Sequence, residues 1–154
     1  MAEAPERKDT DVVLERILAQ IVDNFVAGFI STIIGAIFFG IGIALQGTSE
    51  IFSSISVLTG VLIFLAIFFG YEPFLEYKWK GQTVGKRAAG IKVVKENGDE
   101  IQIKGALLRN IPVIGFIFPY FGFFSYPTAL IAIGTSNKRQ RIFDKVAGTV
   151  VIEE

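Results

Sequence analysis

The residues most able to do chemistry in this chain are acids and arginines set among apolar neighbours. Asp23 follows Ile21 and Val22 and precedes Phe25 and Val26, and Arg16 lies seven residues before it. Seven residues are about two helical turns, so the two share one helix face roughly 10 Å apart along the axis. A carboxylate in such surroundings is costly and is usually paired or functional. Asn24, next to it, adds hydrogen-bond donors. Asp144 lies in a charged segment just before a strand-like C-terminal run, which would bring it to the same membrane face. An arginine suits a site of this kind because its planar fork can serve two carboxylates at once. Two acids around one arginine leave a net negative site, able to hold a proton or a cation when the arginine swings away. Two readings stay open: an ion-pair clamp between the first helix and the C-terminal segment, and an ion- or proton-linked site. Glu72 and Glu76, four apart, share a face at the end of the second apolar stretch. They could add acceptors to a cation site, although a hydrated interfacial pair is the simpler reading. Arg109 and Arg141 are further candidates for the same cluster.

Much other chemistry is unsupported. There is no His and no Cys, which removes the commonest general base, the commonest metal ligand, and any disulfide or thiolate site. No nucleophile–base pair is visible, so no enzyme activity, metal or cofactor is expected. Formal net charge is zero, which gives no electrostatic case for nucleic acid. Gly81-Gln-Thr-Val-Gly-Lys86 resembles a phosphate loop only superficially. It is one residue short between its glycines, and Arg87 stands where Ser or Thr is needed. Its glycines fit a tight turn instead.

The elements that must position these residues are membrane helices. No charged residue occurs from Asn24 to Leu45, from Ile51 to Tyr71, or from Asn110 to Asn137. Stretches of about 20 apolar residues span a hydrocarbon core, and a soluble chain of 154 residues cannot bury three of them. The acidic and polar start, Met1 to Asp11, does not read as a cleavable signal. The expected order is a polar tail (1–11), a first helix (12–45) and a second (51–76). A β-hairpin region (81–103), a third apolar segment (104–137), and a basic segment with a C-terminal strand (138–154) complete it. Gly28, Thr32, Ala36 and Gly40 form one row of small residues on the first helix, and Ala27, Ser31 and Gly35 a second. Such rows allow close helix approach, here against the second helix.

Eight Lys and Arg fall between Glu72 and Arg109, and none between Gln46 and Glu50. The positive-inside rule puts the long connection and the N-terminus in the cytoplasm, with Tyr71, Tyr77 and Trp79 as interfacial anchors. Gly90–Val94 and Glu100–Ile103 alternate around Asn97-Gly98, a hairpin signal. A hairpin alone is marginal, and Ala147–Ile152 supplies a third strand. That pairing, with the basic cluster Lys138, Arg139, Arg141 and Lys145, puts the C-terminus in the cytoplasm too. The third apolar stretch must then turn back, as a Pro-broken hairpin near Pro119 to Gly122; a single Pro-kinked crossing is the alternative. The expected fold is therefore a mainly α membrane protein with three or four hydrophobic helical segments and a small cytoplasmic antiparallel sheet.

Three pieces together resemble a known family: Arg16 with Asp23, the run 81–94 (GQTVGKRAAGIKVV) with Arg109 after it, and the run 140–151 (QRIFDKVAGTVV). They resemble the RDD family of membrane proteins, named for one arginine and two aspartates, which by residue match are Arg16, Asp23 and Asp144. The third apolar stretch departs from the pattern in its richness in Phe and Pro. The resemblance implies a plasma-membrane location and a suspected transport role, with sodium/proton antiport proposed for some members. Small cations or protons are the implied ligands. A chain of three or four spans needs a homo-oligomer, or another membrane protein, to enclose a pathway. The competing expectation is a non-catalytic membrane scaffold or assembly partner.

Overall fold

The computed structural model describes residues 10–114 and 131–154. They form two compact units, one of Asn24–Tyr71 and the other of the described residues up to Asp23 and from Glu72 onward. Two long helices run through both: α1 (Val13–Leu45) and α2 (Glu50–Lys78). Where lipid replaces water, only a helix or closed barrel satisfies every backbone group internally, and these apolar sequences obey that rule. Ser49 caps α2 by accepting a hydrogen bond from the Phe52 N–H at 3.4 Å, and Glu50 complements the helix dipole in the first turn. Pro73 sits inside α2 and withholds one backbone donor there.

Both helices are long and apolar enough to cross a membrane, yet only 17% of the most apolar window of each is buried. The core helix of a soluble protein would be mostly covered. Here Phe25, Ile33, Ile37, Phe39, Ile51 and Leu62 are all exposed.

Within the first unit, α1 and α2 pack through part of the small-residue pattern. Ala27 and Ser31 are buried, and a Cβ on Gly35 would touch the Phe64 ring at 3.6 Å. Gly42 and Gly60 are tighter. A Cβ on Gly42 would lie 2.6 Å from the Val57 side chain, and one on Gly60 2.6 Å from Phe38 Cβ. Ser53 and Ser56 each donate across to a carbonyl of α1, Gly42 at 2.8 Å and Phe38 at 2.9 Å. The other row takes no part at its glycines: Gly28 and Gly40 face open space. The seam is thus Ala27–Ser31–Gly35, extended by Gly42 and answered by Gly60.

The second unit is built on short elements: α3 (Val84–Ala88), β1 (Ile91–Lys95), α4 (Ile103–Ile114), α5 (Ile142–Ala147) and β2 (Thr149–Glu153). β1 and β2 pair antiparallel with Ile91 opposite Glu153, Val93 opposite Val151 and Lys95 opposite Thr149. Ile91, Val93 and Val151 turn their side chains to a small apolar core with Val12, Ala19, Ile101 and Ala106. Gly81, at φ +97°, lies so close to β1 that a Cβ would meet the Val93 carbonyl oxygen at 1.9 Å.

The sheet departs from expectation in one strand. Asn97-Gly98 does turn the chain, with Gly98 at φ +84°, but the return is a single bridge from Val94 to Glu100. Ile103 already begins α4. The C-terminal strand, expected as the third, is the one that pairs with β1. The sheet therefore has two strands, because Ile101 enters the apolar core and Lys104–Leu108 prefer the helix whose inner face carries Arg109. Of the third apolar segment, α4 and a helical stretch at 131–135 are seen. Whether the chain between them crosses or returns concerns residues outside those described.

Candidate functional site

The buried charges of the second unit form one connected chain that begins and ends on α1. Arg16 and Gln20 are one turn apart on that helix. Arg16 Nη1 donates to the Arg139 carbonyl at 2.8 Å and to Asp144 Oδ2 at 3.4 Å. The other oxygen of Asp144 faces Arg109 Nη2 on α4 at 3.3 Å. Arg109 Nε lies 3.6 Å from Glu76 Oε1 on α2. That oxygen also accepts from Lys86 Nζ on α3 at 2.8 Å, and Lys86 reaches on to Glu72 Oε2 at 3.4 Å. Glu72 Oε1 closes the circuit by accepting from the Gln20 amide. Asn110 Nδ2 occupies the second oxygen of Glu76 at 3.1 Å. Charge alternates along the path, and each of α1 to α5 contributes.

Local sequence explains each placement. Thr83 caps α3 by accepting from the Lys86 N–H at 3.2 Å, which starts the helix where Lys86 can reach back to α2. Gly85 is needed because α3 lies directly on α1: a Cβ there would be 2.1 Å from the Ala19 carbonyl oxygen. Asp144, at the third position of α5, accepts from the Arg141 backbone N–H at 3.0 Å, a capping-box contact that holds the carboxylate at the helix start. Gly148, at φ +62°, ends α5 and turns the chain into β2. Gln140 ties this corner to the sheet by donating to the Thr149 carbonyl at 2.9 Å.

Burial makes each of these charges dependent on its partners. Glu76 is fully buried, Asp144 is 1% exposed and Arg16 4%. For Asp144, burial pushes the carboxyl upward, but Arg109, Arg16 and Arg141, with the Arg141 N–H, outweigh it and hold it below the usual range. For Lys86, burial pushes the ammonium downward, while Glu76 and then Glu72 overcome that and raise it above an ordinary lysine.

The structure brings Arg16 and Asp144 together and joins Arg109, Glu72 and Glu76 to them. Glu72 and Glu76 are buried and ion-paired, so the reading of a hydrated interfacial pair does not hold. Asp23 has a different task from sharing the Arg16 fork. Its oxygens accept from the Gly85 N–H at 2.8 Å and from the Thr83 hydroxyl, which docks α3 on α1. Arg141 contributes its backbone N–H to Asp144, and its half-buried side chain lines a cavity beside the circuit. Lys86, Gln20 and Asn110 were not singled out by sequence reasoning. The one signal for them was spacing, Gln20 a turn beyond Arg16 and Asn110 beside Arg109. Among the described residues no group of three or more His, Cys, Asp or Glu side chains is placed to hold a metal ion. Trp79, expected as an interfacial anchor, carries the Arg87 guanidinium over its ring at 4.2 Å.

The RDD family model matches residues 11–148, a span that contains every member of this circuit. The chain belongs to the RDD family. Its apolar helices and that membership make it a membrane protein. It is also 31% identical over 81 residues to the uncharacterized protein YckC of Bacillus subtilis (strain 168), a match covering 53% of each chain. The match thus spans about half the length of that curated relative. No solved structure matches this RDD family protein.

Proposed function

We propose that this protein is an oligomeric, multi-pass plasma-membrane exchanger that couples small-cation movement to protons. The observation that carries the reading is the Lys86 ammonium, 2.8 Å from Glu76 and 3.4 Å from Glu72 in a buried setting. Two carboxylates around a compact monovalent cation are the ligand set of a sodium or potassium site, and here a tethered cation fills it. A free cation binding to Glu72 and Glu76 would displace the ammonium. Lys86 would then release its proton to water, and charge at the site would be unchanged. Arg109 and Asn110, also facing Glu76, keep the second carboxylate oxygen and the local charge in place during the exchange. In this reading Arg16, Asp144 and Arg109 are the frame, and Asp23 positions α3. Both termini face the cytoplasm, on the evidence of the basic residues between Glu72 and Arg109 and between Lys138 and Lys145.

One specific observation favours a second reading, a scaffold or assembly partner. Each of Glu72, Glu76 and Asp144 already has a cationic or amide partner on both oxygens, which is what a purely structural clamp requires. Purified protein in liposomes with an imposed pH gradient separates the two. Addition of sodium or potassium should dissipate the gradient, and Glu76→Gln should abolish this in protein that still inserts folded. A gradient untouched by either cation supports the scaffold.

A further inference from the structure

The cavity beside the ion-pair circuit is small, about 20 Å³, and one water-sized occupant needs roughly 10–15 Å³ on that scale. Its lining is unusually cationic. Arg16, Lys86, Arg109 and Arg141 line it, against one carboxylate, Glu72. Counting the acids in ion pairs with these residues, Glu72, Glu76 and Asp144 stand against four cations, so one positive charge is left over.

The hydrogen bonding points the same way. Arg16 Nε, Arg16 Nη2 and Arg109 Nη1 are buried N–H groups with no partner, in side chains 4% and 5% exposed. Unpartnered buried donors of this kind are costly and uncommon. The carboxylates nearby are engaged elsewhere: both oxygens of Glu72, of Glu76 and of Asp144 receive hydrogen bonds or ion pairs from other groups. A water could accept from the guanidiniums, but it would leave the surplus positive charge uncompensated. A monatomic anion accepts only, fits the volume, and cancels the surplus charge. Polyatomic anions such as sulfate are too large.

We infer that this cavity is a halide site, occupied by chloride under physiological conditions and held by Arg16, Arg109 and Arg141. It lies next to the Lys86 position but does not depend on transport by the protein. A resident anion there would set the charge balance of the whole circuit.

The test uses the full chain in detergent at constant sodium concentration, with chloride exchanged for gluconate. The melting temperature should rise with chloride and saturate, bromide should substitute for it, and sulfate should not. The chloride-35 NMR line should broaden with the protein present and sharpen when bromide competes. Arg141→Gln removes one cation while leaving the backbone N–H that caps α5. It should fold and weaken the apparent chloride affinity by roughly tenfold or more, the worth of a hydrogen bond to a charged group. Equal melting temperatures and line widths in chloride and gluconate would overturn the site and leave it to water. A chloride response unchanged in Arg141→Gln would also overturn it, because the ion would then bind elsewhere.

Discussion

Asp144→Asn is the sharpest perturbation of the circuit. Asparagine keeps the shape of the side chain and one carbonyl oxygen for the Arg141 N–H, so the cap on α5 survives. What disappears is the charge between Arg16 and Arg109, whose nitrogens lie 3.4 and 3.3 Å from the carboxylate. At an effective dielectric constant of about 20, each such pair is worth roughly 5 kcal/mol of gross attraction. Desolvation takes back much of that in the native protein. Once one partner is neutral, however, two guanidiniums remain buried without a counter-charge. Removal of one member of a buried pair typically costs about 3–5 kcal/mol, and that is the loss expected here. Reversible unfolding of the purified protein in mixed micelles, followed by circular dichroism against a graded denaturant, measures it. An exposed pair serves as the internal control: Lys80 and Glu100 are 2.8 Å apart, but their side chains are 73% and 63% exposed, so Lys80→Met should leave the midpoint almost unmoved. A loss under about 1 kcal/mol for Asp144→Asn would refute the claim that burial makes these charges dependent on their partners.

Three further outcomes follow from the geometry. Gly85→Ala should destabilise the protein by about 1–3 kcal/mol or more, because the added methyl meets the Ala19 carbonyl rather than a movable side chain; a midpoint equal to the parent's would show that α3 can move off α1. Gly42→Leu should disrupt packing of α1 on α2 while Gly28→Leu is tolerated, since Val57 lies against the first and open space beside the second; cysteine crosslinking between α1 and α2 at neighbouring positions reads this, and equal effects would discard the assigned seam. Stability should be flat through neutral pH with a limb at each end. Asp144 has a lowered folded pKa, so its contribution is complete above the unfolded value of about 3.9 and is lost as pH falls through the folded one. Lys86 has a raised folded pKa, so its contribution is complete below about 10.4 and is lost as pH rises through the folded one. A stability maximum confined to a narrow band near neutrality would contradict both.

The membrane helices were legible because charge is absent over long stretches, and α1 and α2 begin and end within a few residues of the expected bounds. The meeting of Arg16 with Asp144 was legible from the match of Ala147–Ile152 to a strand, which brings Asp144 back toward β1. Three things were not legible. Periodicity at Glu100–Ile103 suits a strand, but one inward residue, Ile101, satisfies the core and the helix propensity of the following residues decides the rest. Two small-residue rows of equal appearance left undecided which faces α2, since partner side chains such as Phe64 and Val57 make that choice. The role of Lys86 was hidden inside a glycine-containing turn, where it stood only as one of the basic residues of the long connection. Only the close approach of α3 to α1, permitted by Gly85, carries it to Glu72 and Glu76.

On the proposed mechanism, Lys86 and a free cation compete for one pair of carboxylates, Glu72 and Glu76. Proton release on cation binding measures it directly. In weakly buffered detergent solution at mildly alkaline pH, sodium or potassium added to the protein should release about one proton per cation bound, by analogy with ligand displacement at sites whose groups must change protonation to bind. The release should saturate with the binding isotherm and vanish in Glu76→Gln and in Lys86→Met. Cation binding without proton release, or identical release from Lys86→Met, would contradict the account.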